Sequence, residues 1–345
     1  MNDRGLKLSA ADLLKNHLLS QAQDRLNEAY QKWNAMTAVI ETLGESEGAV
    51  VDFIRYLWIA DNGHVREKNL YDEIKKRIKN KTTAISLSVE LESRSADYAA
   101  LLTSSHEKWA KYDESVRRDI DTLAFLGIKQ IRPLLLSAIR KFNQKELVKL
   151  IRACINWSVR WNLAGGTPGV IERPLGQSAM KVARGEIADV TSLVADLEKI
   201  IPDDKRLHSA VSETNVKQAR LARFYLRTLQ RFADGEASLY VPKDDATVTL
   251  EHILPDDTTK NWAHIPTEIA KTLHNRLGNL ALLEGTINSE LGDASFDLKK
   301  PTFAASPFSL TRECADAEIW DAEAIAKRQR HLADLAVEAW PNLPK

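Results

Sequence analysis

Apolar residues recur at steps of three and four over most of the first two-thirds of the chain. From Asp12 to about Leu43 the positions Leu18, Ala22, Leu26, Ala29, Trp33, Met36, Ile40 and Leu43 fall on one face of a single long helix. The same period predicts helices over about Val50–Ala60, Val65–Lys79, Thr83–Leu102, Glu114–Leu126, Ile131–Phe142 and Gln144–Leu163. Gly44 and Gly48 end the first, and Pro133 suits the first turn of its own helix. Ala164-Gly165-Gly166-Thr167-Pro168-Gly169 interrupts the pattern. It lacks the Gly-Lys-Ser/Thr ending of a phosphate-cradling loop and no strand leads into it, so it reads as a turn between helices. Further helices are predicted over Arg173–Arg184, Ile187–Ile200 and Thr214–Ala233, with a turn at Pro202-Asp203-Asp204. Trp58, Trp109, Trp157 and Trp161 fall on or near apolar faces and read as core anchors, with base-stacking surfaces as the sharper alternative.

The pattern changes near Thr247. The run TVTLEHILPDD contains a short β-type stretch, Val248-Thr249-Leu250, broken at Pro255 and an Asp pair. After a spacer comes HNRLGNLALLEGTINSELGDASFDLKK, whose Asn279–Leu283 stretch is apolar and stops at Gly285. From Thr286 to about Lys300 the chain is helix-compatible, with Gly292 as its weak point. The order is strand, loop, strand, helix. His252 ends the first strand, Asn279 opens the second, and Asn288 lies at the head of the helix. A last helical pattern runs from Asp321 to Trp340, and Trp262 and Trp320 are expected to pack a unit with little core of its own. The expected fold is mainly α: an all-helical domain over residues 1–213, then a small α+β domain over 214–345 with a ββα finger at about 247–300.

That order of parts resembles the ββα-metal (HNH) nuclease finger. The wording EHILP, NRLGNLALL, Asn288 and then Phe296-x-x-Lys299 resembles the C-terminal nuclease domain of GmrSD-type modification-dependent restriction endonucleases, over roughly Arg220 to Trp340. The resemblance implies a metal-dependent DNA endonuclease acting in restriction or anti-phage defence, in the cytoplasm. In it His252 would be the general base, Asn288 a metal ligand through its carbonyl oxygen, and Glu251 a second ligand. Asn279 would tie the loop between the strands, Lys299 would contact phosphate or developing charge, and Arg276 would contact phosphate. In that family an upstream ParB-like domain carries a nucleotide-hydrolysing motif. Asn2-Asp3-Arg4-Gly5-Leu6 resembles only the end of that domain, so the resemblance implies a missing N-terminal domain or a separate ParB-like subunit.

The chemistry asks for few residues. Hydrolysing a phosphodiester needs an activated water, a cation and a rigid frame. Mg²⁺ (or Mn²⁺) takes oxygen ligands and keeps several waters, so one or two protein ligands suffice. A neutral imidazole with an ordinary pKa of ~6.5 is a suitable base. One geometric condition follows: consecutive strand residues point to opposite faces, so Glu251 and His252 serve one phosphate only if the chain bends there. Pro255 disfavours a helical Leu254 and makes an extended-to-turn transition the expectation. His264 and His274 are read as spacer residues.

Charge and cysteine content narrow little further. Forty-eight basic and 48 acidic residues cancel, so a DNA surface must come from local clustering. Two stripes qualify: Lys141, Lys145, Lys149 and Arg152, and Lys217, Arg220, Arg223, Arg227 and Arg231. The second leads into the finger. Each also reads as a solvated helix face. Cys154 and Cys314 are far apart and give neither a cysteine zinc site nor a disulfide framework, which fits a reducing compartment. No apolar run approaches the ~18 residues of a membrane span. The competing reading is a non-catalytic helical subunit that binds DNA or protein and carries an inactive nuclease domain.

Overall fold

The computed structural model describes residues 9–44, 48–235 and 247–344. The stretch Asn2–Leu6 that resembles the end of a ParB-like domain lies outside them. The structure is 72 % helical, and among the described residues its one sheet has two antiparallel strands. No described helix is long and apolar enough to cross a membrane. The described residues divide into two compact units, those up to 155 with 167–200, and those of 156–166 with 201–344. The second unit begins upstream of the expected division at 213/214.

The first unit is built from amphipathic helices. The expected long first helix is two, Ala10–Ala22 and Leu26–Glu41, separated by a 3₁₀ turn over Gln23–Arg25. Gln23 takes φ +53°, a left-handed value that an uninterrupted helix does not contain. Ala49–Asn62, Glu67–Arg77, Lys81–Leu102, Glu114–Leu126 and Arg132–Lys141 follow close to their expected places. Pro168–Ala183 starts earlier than expected because Pro168 sits in its first turn. Trp58 and Trp109 are buried, and Trp109 Nε1 donates to the Ala100 carbonyl at 2.7 Å. Asp97 is nearly buried and draws Lys108 Nζ at 2.7 Å together with the Arg140 guanidinium.

The second unit includes the end of the helix Gln144–Ala164, with Trp157 and Trp161 buried. Arg160 is fully buried there. It donates to the carbonyls of Trp340 at 2.7 Å and Pro202 at 2.8 Å, and to Asp204 Oδ1 at 2.6 Å. At Gly166 a Cβ would fall 2.5 Å from Trp161 Cβ, so the turn closing this helix admits no side chain. A helix over Asp204–Glu213 was not expected. Pro202-Asp203-Asp204 is its start rather than a turn between longer helices, and Asp203 caps it by accepting from Arg206 N at 2.7 Å.

β1 (Val248–His252) pairs with β2 (Leu280–Glu284), with His252 opposite Leu280 and Val248 opposite Glu284. Two short strands need outside packing. Ile253, Leu254, Trp262, Ala281, Leu283, Phe296, Phe303, Trp320 and Ile325 supply it as one buried cluster. The expected helix after β2 is broken into Gly285–Leu291 and Phe296–Ala304. Gly292, at φ +46°, makes the break. The closing helix Ala322–Ala339, capped by Asp321, lies against the loop that enters β2. Its Arg328 donates to the carbonyls of Gly278 at 2.9 Å and Leu280 at 2.8 Å.

Candidate active site

Five of the expected site residues attach to β1 or its exit. β1 ends at His252, and Ile253–Leu254 form a bend. Lys299, from Phe296–Ala304, reaches this bend from inside. Its Nζ donates to Glu251 Oε1 at 2.6 Å and to the carbonyls of Ile253 at 3.2 Å and His252 at 3.3 Å. Successive carbonyls of a regular strand point opposite ways. Two of them converging on one ammonium means that the chain turns just after His252, while Glu251 and His252 are themselves both paired in the ladder.

Asn279 ties the exit of β1 to the entry of β2. It has no exposed surface, and its amide uses every polar position. Nδ2 donates to the carbonyls of Leu254 at 2.8 Å and His274 at 3.0 Å, while Oδ1 accepts from Leu254 N and Trp320 Nε1, each at 2.9 Å. Gly278 beside it allows the closing helix to approach: a Cβ there would fall 2.4 Å from the Ile325 carbonyl oxygen.

Asn288 sits on Gly285–Leu291, half-buried. Its Nδ2 donates to Thr249 Oγ1 at 2.9 Å and to the Leu250 carbonyl at 3.1 Å, which fixes the carboxamide against β1. Its nitrogen is committed to the strand, so the carbonyl oxygen is the end available to a ligand. Burial raises the Glu251 carboxyl above the usual carboxylate range; Lys299 opposes the shift and Asp293 adds to it.

His252 is half-buried at the end of β1. Its ring stacks on that of His274, centroids 3.9 Å apart and planes 3° from parallel. Burial first and His274 second push its pKa down to about 4, against an interaction with the Asn275 side chain and the charge of Asp256. It is therefore a neutral imidazole at neutral pH.

Two residues expected at phosphate turn inward. Lys299 has no exposed surface. Arg276 Nε donates to Gln329 Oε1 at 2.9 Å and its Nη2 to the Ser212 carbonyl at 2.7 Å, so its guanidinium braces the loop before β2. On Ala219–Ala233, Arg220 is exposed while Arg223 and Arg227 are half-buried, and Arg220 and Arg227 already have interaction partners. In the first unit Arg152 is paired with Asp119 at 3.2 Å.

Residues 201–335 match the family model of the GmrSD restriction endonucleases, C-terminal domain. This segment belongs to that family. A comparison with curated proteins yields no match. The GmrSD match begins where the second compact unit resumes at Ile201 and takes in β1, β2, both helices after them and most of the closing helix. Within this GmrSD domain the sequence reading passed over His274 and Asn275, which flank His252, and Trp320 as a partner of Asn279. The first two stand in HNRLGN, five and four residues before Asn279, so proximity to that asparagine was the one signal on offer.

Proposed function

We propose that the second unit is a metal-dependent, HNH-type DNA endonuclease domain, with His252 as its general base. The observation that carries this reading is a neutral imidazole at the end of β1, beside a carboxylate and a carboxamide attached to the same strand. Membership of a restriction endonuclease family supports DNA as the substrate and restriction as the role.

The donor set suits a hard cation. Among the described residues no three His, Cys, Asp or Glu side chains converge on one point, so a bound cation would rest on few protein ligands. Mg²⁺ or Mn²⁺ tolerates this because it keeps waters. Asn288 Oδ1 is presented by an amide whose nitrogen is already tied down, and Glu251 has a second oxygen beyond the one that accepts from Lys299. These two residues would hold the ion, which when bound neutralises charge on the scissile phosphate.

The remaining work belongs to the chain. His252 takes a proton from a water whose oxygen attacks phosphorus, and one bridging P–O bond breaks as the new one forms. Asn279 holds the β1 exit and the β2 entry together. Lys299 acts from inside, holding Glu251 and the bend. Lys217 and Arg220, the exposed members of their stripe, are the residues there best placed to follow a DNA backbone.

Nicking of supercoiled plasmid with Mg²⁺ or Mn²⁺ tests the assignment. The wild-type chain should cut, and His252→Ala should lose at least about a hundredfold in rate while keeping its unfolding midpoint. Cleavage that survives the substitution rejects His252 as the base. Absence of cutting by the wild type favours a non-catalytic binding subunit.

A further inference from the structure

His252 is covered on one face by a ring from outside its own strand. The His274 ring lies parallel to it, centroids 3.9 Å apart. Asn275, next in the chain, also interacts with the His252 side chain.

His274 and Asn275 are both anchored through their main chain. His274 N donates to the Ala270 carbonyl at 2.7 Å, ending the helix Thr267–Leu273, and the His274 carbonyl accepts from Asn279 Nδ2. The Asn275 carbonyl accepts from Val216 N at 2.8 Å, beside an isolated bridge between Asn215 and Arg276. The pair is thus part of the frame that positions β1 and β2.

His274 itself is uneconomical as a polar residue. Its Nδ1 is buried and has no hydrogen-bond partner among the described residues. A buried polar atom left unpaired is unfavourable, so hydrogen bonding by that nitrogen does not account for an imidazole here. What the side chain offers His252 is a flat face of matching size.

We propose that His274 is a positioning residue that fixes the ring plane of His252. The proposal rests on the reading of His252 as general base for its consequence in catalysis, but not for the brace itself. A base that must meet its proton within hydrogen-bond reach gains from that constraint, because a misplacement of about 1 Å can cost on the order of a hundredfold in rate. Stacking against a parallel ring restricts rotation of the imidazole.

The experiment uses the full chain with ¹⁵N-labelled histidine, read by long-range ¹H–¹⁵N correlation near neutral pH, alongside plasmid nicking. Wild type should show ring-current-shifted carbon-bound protons on His252. His274→Phe keeps a flat ring and should preserve the shift, with nicking within about threefold of wild type. His274→Leu keeps bulk without a flat face; it should lose the ring-current shift and about tenfold to a hundredfold in kcat, with little change in KM. Unchanged His252 signals in His274→Leu would overturn the proposal, and so would His274→Phe behaving like His274→Leu. If the signals respond as described but the wild type cuts no DNA, the brace stands and the nuclease reading falls.

Discussion

Lys299 Nζ lies 2.6 Å from Glu251 Oε1, and the lysine side chain has no exposed surface. An ammonium and a carboxylate are thereby withdrawn from water at the end of β1. Such a pair is costly to break from one side, because the survivor is left as an uncompensated buried charge. Lys299→Met is expected to lower stability by about 3–5 kcal/mol in urea unfolding. Combining it with Glu251→Gln should recover part of that loss. A purely additive double variant would show that the two side chains are not coupled.

Asn279 satisfies four polar partners at once, from Leu254, His274 and Trp320. Truncation strands all of them in a site that excludes water, and each stranded group costs about 1–3 kcal/mol. Asn279→Ala should therefore destabilise the second unit by at least about 3 kcal/mol, seen as a lower urea midpoint. A change under about 1 kcal/mol would mean that water or rearrangement replaces these bonds.

Gly278 is fixed by contact rather than by backbone angle. A methyl group there would meet the Ile325 carbonyl at 2.4 Å and Gln329 Cβ at 2.8 Å, both on the closing helix. Gly278→Ala must push that helix from the loop and disturb the Gln329 contact with Gly278 N. The expected cost is about 1–3 kcal/mol, measured by thermal unfolding. Wild-type stability in this variant would contradict the close approach.

Acid should act on His252 with a definite sign. Its folded pKa is about 4, below the ~6.5 of an unfolded imidazole. Its contribution to stability is complete above ~6.5 and is lost as pH falls toward 4, because the unfolded chain takes up the proton first. Glu251 works in the other direction: its raised carboxyl pKa gives a contribution that is lost as pH rises. Comparing wild type with His252→Gln isolates the imidazole. Between pH ~7 and ~5 the variant should lose less stability than wild type, by on the order of 2 kcal/mol. Equal losses would show that His252 is not held neutral.

The sequence by itself determined the elements and their order. Apolar spacing placed most of the helices, Glu114–Leu126 to the residue, because a helix must turn one face to a core whatever lies opposite. The succession of EHILP, NRLGNLALL and Asn288 was enough to place a histidine, a frame asparagine and a second asparagine around two short strands. Which way the charged side chains turn was decided only in the tertiary structure. Lys299 meets a carboxylate 48 positions earlier, and Arg276 meets Gln329 53 positions later. No local period encodes such meetings, so a lysine and an arginine expected at a phosphate serve inside the fold. The unexpected helix Asp204–Glu213 has the same origin: two buried side chains, Leu207 and Val211, hold that short segment in place. The stack of His274 on His252 brings together residues from separate elements, and it exists because Asn279 and the helix before it deliver one ring to the other.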